Sequence, residues 1–356
     1  LDMNIIFFNT IALGDYLVHS KIIKDLKLKY KCHITAVCSK YNGKIISKHD
    51  HIDEIIYYDK NSNLFDKVKT LNKILKKKYF LSIVFDCQKF SMLANFILNS
   101  KYKRGVIMSK FKKIFTLKFF LYYPPKFLSF FLYDKFIIHK RTKFIDKVYY
   151  LPQTWINLLK DFKLKTKKNN IYHFNPMKLQ ENIKNRILKK LSIKNYIIFH
   201  FDHKWEDVIG IENDLFDNIA FFQKKNKKKI LITSFHNNSL YFKNFLKKVN
   251  LFDVSESKLI KKNNLPIYLI KNPEIFLQER LVSSSQLCVS CHSGILVHSA
   301  AANKCKLVDI LNHNEILIQK CWAPLNDYYV VKKSDQSRKY DLQTIFNKIN
   351  NCLIKT

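Results

Sequence analysis

The chain has 356 residues, 47% of them apolar and 29 of them phenylalanine, enough to fill two domain-sized cores and to exclude a disordered chain. Its 63 Lys and Arg outweigh 28 Asp and Glu, giving a formal charge of +35 that draws in phosphates, anionic lipid or nucleic acid. Nucleic acid is disfavoured: arginine, whose bidentate fork reads phosphates and bases, occurs only at Arg104, Arg141, Arg186, Arg280 and Arg338, and the lysines are spread along the whole chain beside Asn and Ile.

In chain order, the first half alternates strand and helix signals, the pattern of a parallel sheet with crossover helices. Strands are predicted at 4–9, 33–38, 54–58, 80–86 and 104–108, and helices at 16–28, 64–77 and 91–98. In the first helix Leu17, Ile22, Ile23 and Leu26 keep helical spacing. The run 111–141 is different. Phe, Leu and Tyr alternate with Lys there, and Pro124-Pro125 divides it. It reads as a membrane- or acceptor-proximal insertion, or equally as a helical hairpin on the first domain with solvated lysines.

Residues 142–163 are predicted helical, and the Lys- and Asn-rich 164–170 begins a linker. A helix at 176–191 precedes a second alternating series. Its strands are 196–201, 229–233, 267–270, 287–290 and 305–309; its helices are 214–225, 240–249, 273–283 and 296–302. A closing helix at 342–352 ends the chain. Both halves are Rossmann-like. The resulting division is a first domain at 3–163, a linker at 164–175, a second domain at 176–340 and a C-terminal helix within 341–356.

Eight cysteines fall mostly in apolar, strand-like runs, where a reduced thiol acts as a small hydrophobe and fits a cytosolic compartment. Cys288 and Cys291 form a C-x-x-C near His292 and His298. They straddle a predicted strand end and no second C-x-x-C exists, so no metal set is assigned. No leader is expected, and no run of about 20 uncharged apolar residues is present.

With only five glycines in the chain, two at strand-to-helix turns stand out. Gly14 follows the apolar run 4–8 in Asn9-Thr10-Ile11-Ala12-Leu13-Gly14-Asp15. Gly294 closes Val289-Ser290-Cys291-His292-Ser293-Gly294, ahead of His298 and Ala300-Ala301-Ala302. Unpaired N–H groups at such a helix start attract anions, and two such turns imply a substrate cleft between two domains. Asp15 is placed either to take a proton from an acceptor hydroxyl or simply to complement the helix dipole. Lys204, in the loop after a strand, suits a diphosphate. Ser293 and the nearby amides suit phosphate oxygens, His298 reaches the ligand or fills the core, and Ser234 ends a strand where a ribose or base would lie. Asp86 and Gln88 border the same sheet edge as Gly14. No P-loop, G-x-G-x-x-G, G-x-S-x-G or D-x-D pattern occurs.

These segments, in this order, resemble family 9 glycosyltransferases, the group of the lipopolysaccharide heptosyltransferases. Leu13-Gly14-Asp15 resembles the family's S-x-x-G-D start. Asp86-Cys87-Gln88 with Lys103-Arg104-Gly105 resembles its D-x-Q and R-x-G stretch. His203-Lys204-Trp205 resembles the K-x-W loop, 289–302 the D-[ST]-G-x-x-H-x-x-A-A segment, and Trp322-Ala323-Pro324 the late W-x-P. The resemblance implies an α/β chain of GT-B fold, two Rossmann-like domains with parallel sheets facing a central cleft, acceptor domain first and nucleotide-sugar domain second. It implies inverting, metal-independent transfer with no cofactor, from a nucleoside diphosphate sugar (ADP-sugar favoured) to a lipopolysaccharide-core or other cell-surface glycan. Asp15 would be the base. Lys204, Ser234, Ser293, Gly294 and His298 would serve the donor; Gly14, Asp86 and Gln88 would lie on the acceptor side.

His292 stands where the family has aspartate, and His298 lies one residue further from the glycine than usual. The chain is therefore expected to be a peripheral enzyme on the inner face of the cytoplasmic membrane, contacting an anionic membrane surface and a lipid-linked or core oligosaccharide but no nucleic acid. Two other readings stand beside it. One is a non-catalytic nucleotide- or glycan-binding protein of the same fold, which His292 favours. The other is a charge-driven polyanion or membrane-surface module.

Overall fold

Segments such as NIIFFN and HITAVC are apolar at nearly every position, which suits a strand only when both faces are covered. The computed structural model describes residues 3–10, 13–86, 88–109, 126–140, 151–167, 173, 177–202, 205, 215–234, 245–271, 273–291, 300, 305–311, 328–332 and 342–354. In it the chain divides into two units, Leu1–Asn175 and most of Pro176–Thr356.

The first unit runs β1 (Asn4–Asn9), α1 (Leu13–Tyr30), β2 (His33–Cys38), α2 (Lys40–Ile46), β3 (Glu54–Tyr57), α3 (Leu64–Leu75), β4 (Tyr79–Val84), α4 (Lys89–Ile97), β5 (Ser100–Ser109), α5 (Lys126–Leu132), β6 (Lys135–Lys140) and α6 (Leu151–Leu158). Its six strands lie in the order β3-β2-β1-β4-β5-β6, and every neighbouring pair is parallel. Right-handed crossovers place α1 and α2 on one face, where they touch, and α3, α4 and α5 in a row on the other. Under that row lies a core of Ile6, Phe8, Val84, Met92, Ile107 and Tyr133.

Residues 111–125 and 141 of the stretch read as an insertion lie outside the described residues, and only 126–140 are described. These form α5 and β6, and β6 is the sheet's edge strand. An edge strand is only half covered and is commonly flanked by lysine, as here by Lys135 and Lys140, so it mimics an interfacial amphipath in sequence. Gly105 is required where β5 meets this strap. A Cβ there would stand 2.2 Å from the buried Tyr133 ring. Beside it the buried Arg104 guanidinium lies between the rings of Tyr102 and Phe162, 5.3 Å and 5.7 Å from their centroids. The R-x-G stretch is thus structural in this unit. Thr166 and His173, within the stretch read as the linker, are bonded to α1: Thr166 Oγ1 donates to Asp25 (2.6 Å) and the His173 amide to Ser20 Oγ (2.7 Å).

The second unit runs α7 (Lys178–Lys190), β7 (Tyr196–Phe201), α8 (Leu215–Asn226), β8 (Lys229–Ser234), β9 (Asn250–Asp253), β10 (Lys258–Ile260), β11 (Ile267–Lys271), α9 (Ile275–Ser283), β12 (Leu287–Ser290), β13 (Lys306–Leu311), β14 (Tyr328–Lys332) and α10 (Leu342–Ile354). The strand order is β10-β9-β11-β8-β7-β12-β13-β14. Among the described strands only β9 and β10 pair antiparallel, a departure from a purely parallel sheet. Asp253 fixes that corner: its carboxylate accepts from Ser255 and from Lys271 on β11. Phe199, Phe201, Trp205, Phe216, Phe222 and Phe346 fill the core, and α10 packs on β13, β14 and α8.

Candidate functional site

In an open parallel sheet, ligands bind beyond the carboxyl ends of the strands where the strand order reverses. Each unit has one such point. In the first sheet it lies between β1 and β4, and in the second between β7 and β12. Gly14, Asp15, Asp86 and Gln88 belong to the segments leaving β1 and β4. Lys204 follows β7, and Ser293 and Gly294 follow β12.

At the first point, the turn after β1 is fastened to the turn after β4 by one carboxylate. Asp86 Oδ2 accepts from the Thr10 amide (2.7 Å), the Thr10 hydroxyl (2.6 Å) and Ser91 Oγ (3.0 Å), while Oδ1 accepts from the Gln88 amide (3.1 Å). Asp86 is buried, and four donors meet it. It is therefore a positioning residue for the turn leading to α1, and its carboxylate helps raise the Tyr58 phenol, whose main cause is burial. The Tyr58 ring stacks on Phe90 at the start of α4, 4.0 Å between centroids. Asn42 Nδ2 donates to the main chain and side chain of the buried Asn9, joining the ends of β1 and β2. Gly14 and Asp15 lie in the first turn of α1. The Asp15 side chain is outside the described residues.

At the second point, a row of polar residues crosses four strands at one level. Strand pairing sets Asp309 beside Ser290, Ser290 beside His200 and His200 beside Thr233. All four are fully buried. His200 Nδ1 lies 3.0 Å from Thr233 Oγ1. Gln278 reaches in from α9, its Nε2 donating to His200 Nδ1 (2.8 Å) and to Thr233 Oγ1 (3.0 Å). The indole of Trp205 donates to the His200 carbonyl (2.6 Å) and packs on Phe201, so the loop carrying Lys204 is tied back to β7. Ser234 stands one residue beyond Thr233, beside Phe201, and is buried.

Lys204, Ser293, Gly294 and His298 lie outside the described residues, as do His292, Cys87 and Trp322-Ala323-Pro324. Cys288 is buried within β12, and Cys291 is buried just past its end. Sequence reasoning missed the roles of Gln278, Ser290 and Asp309. For Ser290 and Asp309 the available signal was a polar residue interrupting an otherwise apolar strand; Gln278, on α9, carries no such signal. No helix among the described residues is long and apolar enough to cross a membrane.

Among solved structures the chain is similar, over 100% of its length, to a family 9 glycosyltransferase from Veillonella parvula, with TM-score 0.68, 14% identity and 99% of that chain covered. It is also similar to the E. coli heptosyltransferase WaaC with ADP, at TM-score 0.64 and 12% identity, covering 98% of this chain and 100% of that one. A UDP-GlcNAc 2-epimerase from Methanocaldococcus jannaschii matches at TM-score 0.55 and 13% identity, covering 99% and 92%. No protein-family model matches the sequence, and no curated protein does. At these identities the likeness is one of fold: the chain has the GT-B fold, with two Rossmann-like lobes.

Proposed function

We propose that this protein is an inverting, metal-independent glycosyltransferase that moves a sugar, heptose or a relative, from a nucleoside diphosphate sugar to a hydroxyl of a lipopolysaccharide-core or other cell-surface glycan. The observation that carries the reading is the coincidence of the candidate motifs with the two strand-order reversals. The first lobe takes the acceptor and the second takes the donor, an ADP-sugar in first preference. The Asp15 carboxylate removes the acceptor hydroxyl's proton as that oxygen bonds to the anomeric carbon. The bond from that carbon to the diphosphate breaks on the opposite side, its electron pair leaving on phosphate oxygen. Lys204 and the amides at Ser293-Gly294 offset the charge that develops there. Ser234 and His298 line the donor side. Gly14, Asp86 and Gln88 shape the acceptor side, Asp86 by holding the turn.

The acceptor is membrane-linked in this reading, and the enzyme works at the inner face of the cytoplasmic membrane. The outer sides of α4 and α5 support it. Leu93, Phe96 and Ile97, at helical i, i+3, i+4 spacing, are exposed beside Phe130 and Phe131. Lys67, Lys69 and Lys73 on the adjoining α3 and Lys89 at the start of α4 supply positive charge. Apolar side chains rimmed by lysines suit an anionic bilayer.

His292, in place of the family's aspartate, supports a second reading in which the fold binds nucleotide or glycan without transfer. A single experiment separates them. Thermal shifts with ADP, UDP, GDP and CDP are measured for wild type, Lys204→Ala and Asp15→Asn, alongside donor consumption with acceptor extract. One diphosphate should stabilise wild type and lose its effect in Lys204→Ala. Asp15→Asn should keep that shift while transfer falls by at least about a hundredfold. Undiminished transfer in Asp15→Asn would sink the base assignment, and binding with no donor turnover in wild type would favour the second reading.

A further inference from the structure

Between α1 and the turn ahead of β3, the first unit gathers three histidines, a carboxylate, a phenol and a lysine. Asp50 and His51 come from the turn between α2 and β3. His173 comes from the segment that ends the first unit at Asn175. One ligand atom from each of the three lies within 4.8 Å of the other two. His49 flanks them, its ring 5.1 Å from that of His51 and 5.9 Å from that of His173.

The Tyr16 hydroxyl sits 2.8 Å from His49 Nδ1 and 3.3 Å from His51 Nε2. With one hydrogen it can donate to one ring and accept from the other; when it donates to the nearer His49 Nδ1, His51 carries its proton on Nε2. That tautomer leaves a lone pair on His51 Nδ1, which faces Asp50 Oδ1 at 3.4 Å. In that tautomer the two facing acceptors suit a cation between them. Two ligands on one tetrahedral zinc ion stand roughly 3.3 Å apart, given bonds of about 2.0–2.1 Å. The Asp50–His51 pair already has that spacing. The Tyr16 contact is also the outer partner that a metal-bound imidazole usually has.

We propose that Asp50, His51 and His173 form a binding site for a borderline divalent transition ion of the zinc class, which clasps the exit segment of the first unit onto the turn between α2 and β3. Two imidazoles and a carboxylate match that class, and a water completes the shell. Lys24 is its competitor. The ammonium stands 3.0 Å from His173 Nε2 and holds the lone pair that the ion takes. Binding therefore exchanges one cation for another at His173, with a closure of the imidazole by about 1–1.5 Å to reach normal bond length. The site is structural, and the proposed transfer reaction does not pass through it.

The test is zinc titration of the chelator-stripped full chain by calorimetry and thermal shift, with cobalt as a spectroscopic stand-in. One ion per chain is expected, with a rise in melting temperature and a tetrahedral cobalt spectrum free of thiolate charge-transfer bands. Asp50→Asn, at an exposed side chain that leaves the fold intact, should weaken binding by at least about tenfold. His173→Gln should remove it, and Lys24→Met should tighten it. Thiolate bands, zinc affinity unchanged in Asp50→Asn, or no saturable binding would each overturn the proposal.

Discussion

At the residue scale, Asp86 carries more than its D-x-Q context announces. A buried acceptor with four donors leaves all four unsatisfied when it is removed. Asp86→Ala should lower unfolding stability by about 3 kcal/mol, measured by urea denaturation, because the Thr10 amide and Ser91 hydroxyl lose a charged partner. Transfer should fall further than stability does, since the turn that presents Asp15 is no longer pinned, while the nucleotide-induced thermal shift persists. A stability loss confined to a few tenths would mean that water replaces the carboxylate. The residue type and its place at a strand end were legible in sequence. Its inward aim was not, because a D-x-Q pattern is compatible with a carboxylate turned to ligand or to its own loops. The same limit applies to Arg104-Gly105, where Tyr133 and Phe162, distant in sequence, join the neighbouring Tyr102 in explaining both residues.

At the element scale, the exposed sides of α4 and α5 make a prediction of their own. The protein should sediment with phosphatidylglycerol vesicles and only weakly with phosphatidylcholine ones. Phe96→Ser with Phe131→Ser should cut that binding at least about tenfold, as two aromatic side chains lose their burial in the interface. Equal binding to both vesicle types would refute a charge-assisted surface. Sequence reading was most secure for buried central strands: 4–9, 33–38, 196–201 and 287–290 have the observed bounds. It failed where elements are short or marginal. α2 is a seven-residue helix containing Gly43, held by a Ser39 cap rather than by an apolar stripe. β9 and β10 have four and three residues, too few for a period to show. β6 was absorbed into its lysine- and phenylalanine-rich surroundings.

At the scale of the whole molecule, six described thiols are buried and none of them is in a disulfide. Burial pushes Cys32 and Cys305 up to about 11 and Cys38 up to about 12, from an ordinary 9.0. The folded chain therefore holds these protons above pH 9.0, where the unfolded chain releases them. Stability should be level below that pH and fall as pH rises through 11 toward 12. A disulfide reagent should leave these thiols unmodified at neutral pH until denaturant is added; prompt native labelling of all six would contradict this. The row from Asp309 to Thr233 has a consequence for the entire second lobe. Strands spelled YIIFHF, KILITS and KLVDIL draw on a small alphabet, and isoleucine or leucine would pack almost as well after a slip of two residues. Such a slip would set His200 against Leu231 and break its contact with Thr233. The four polar letters thus act as an address written across the sheet, naming one alignment among several that oil alone would accept.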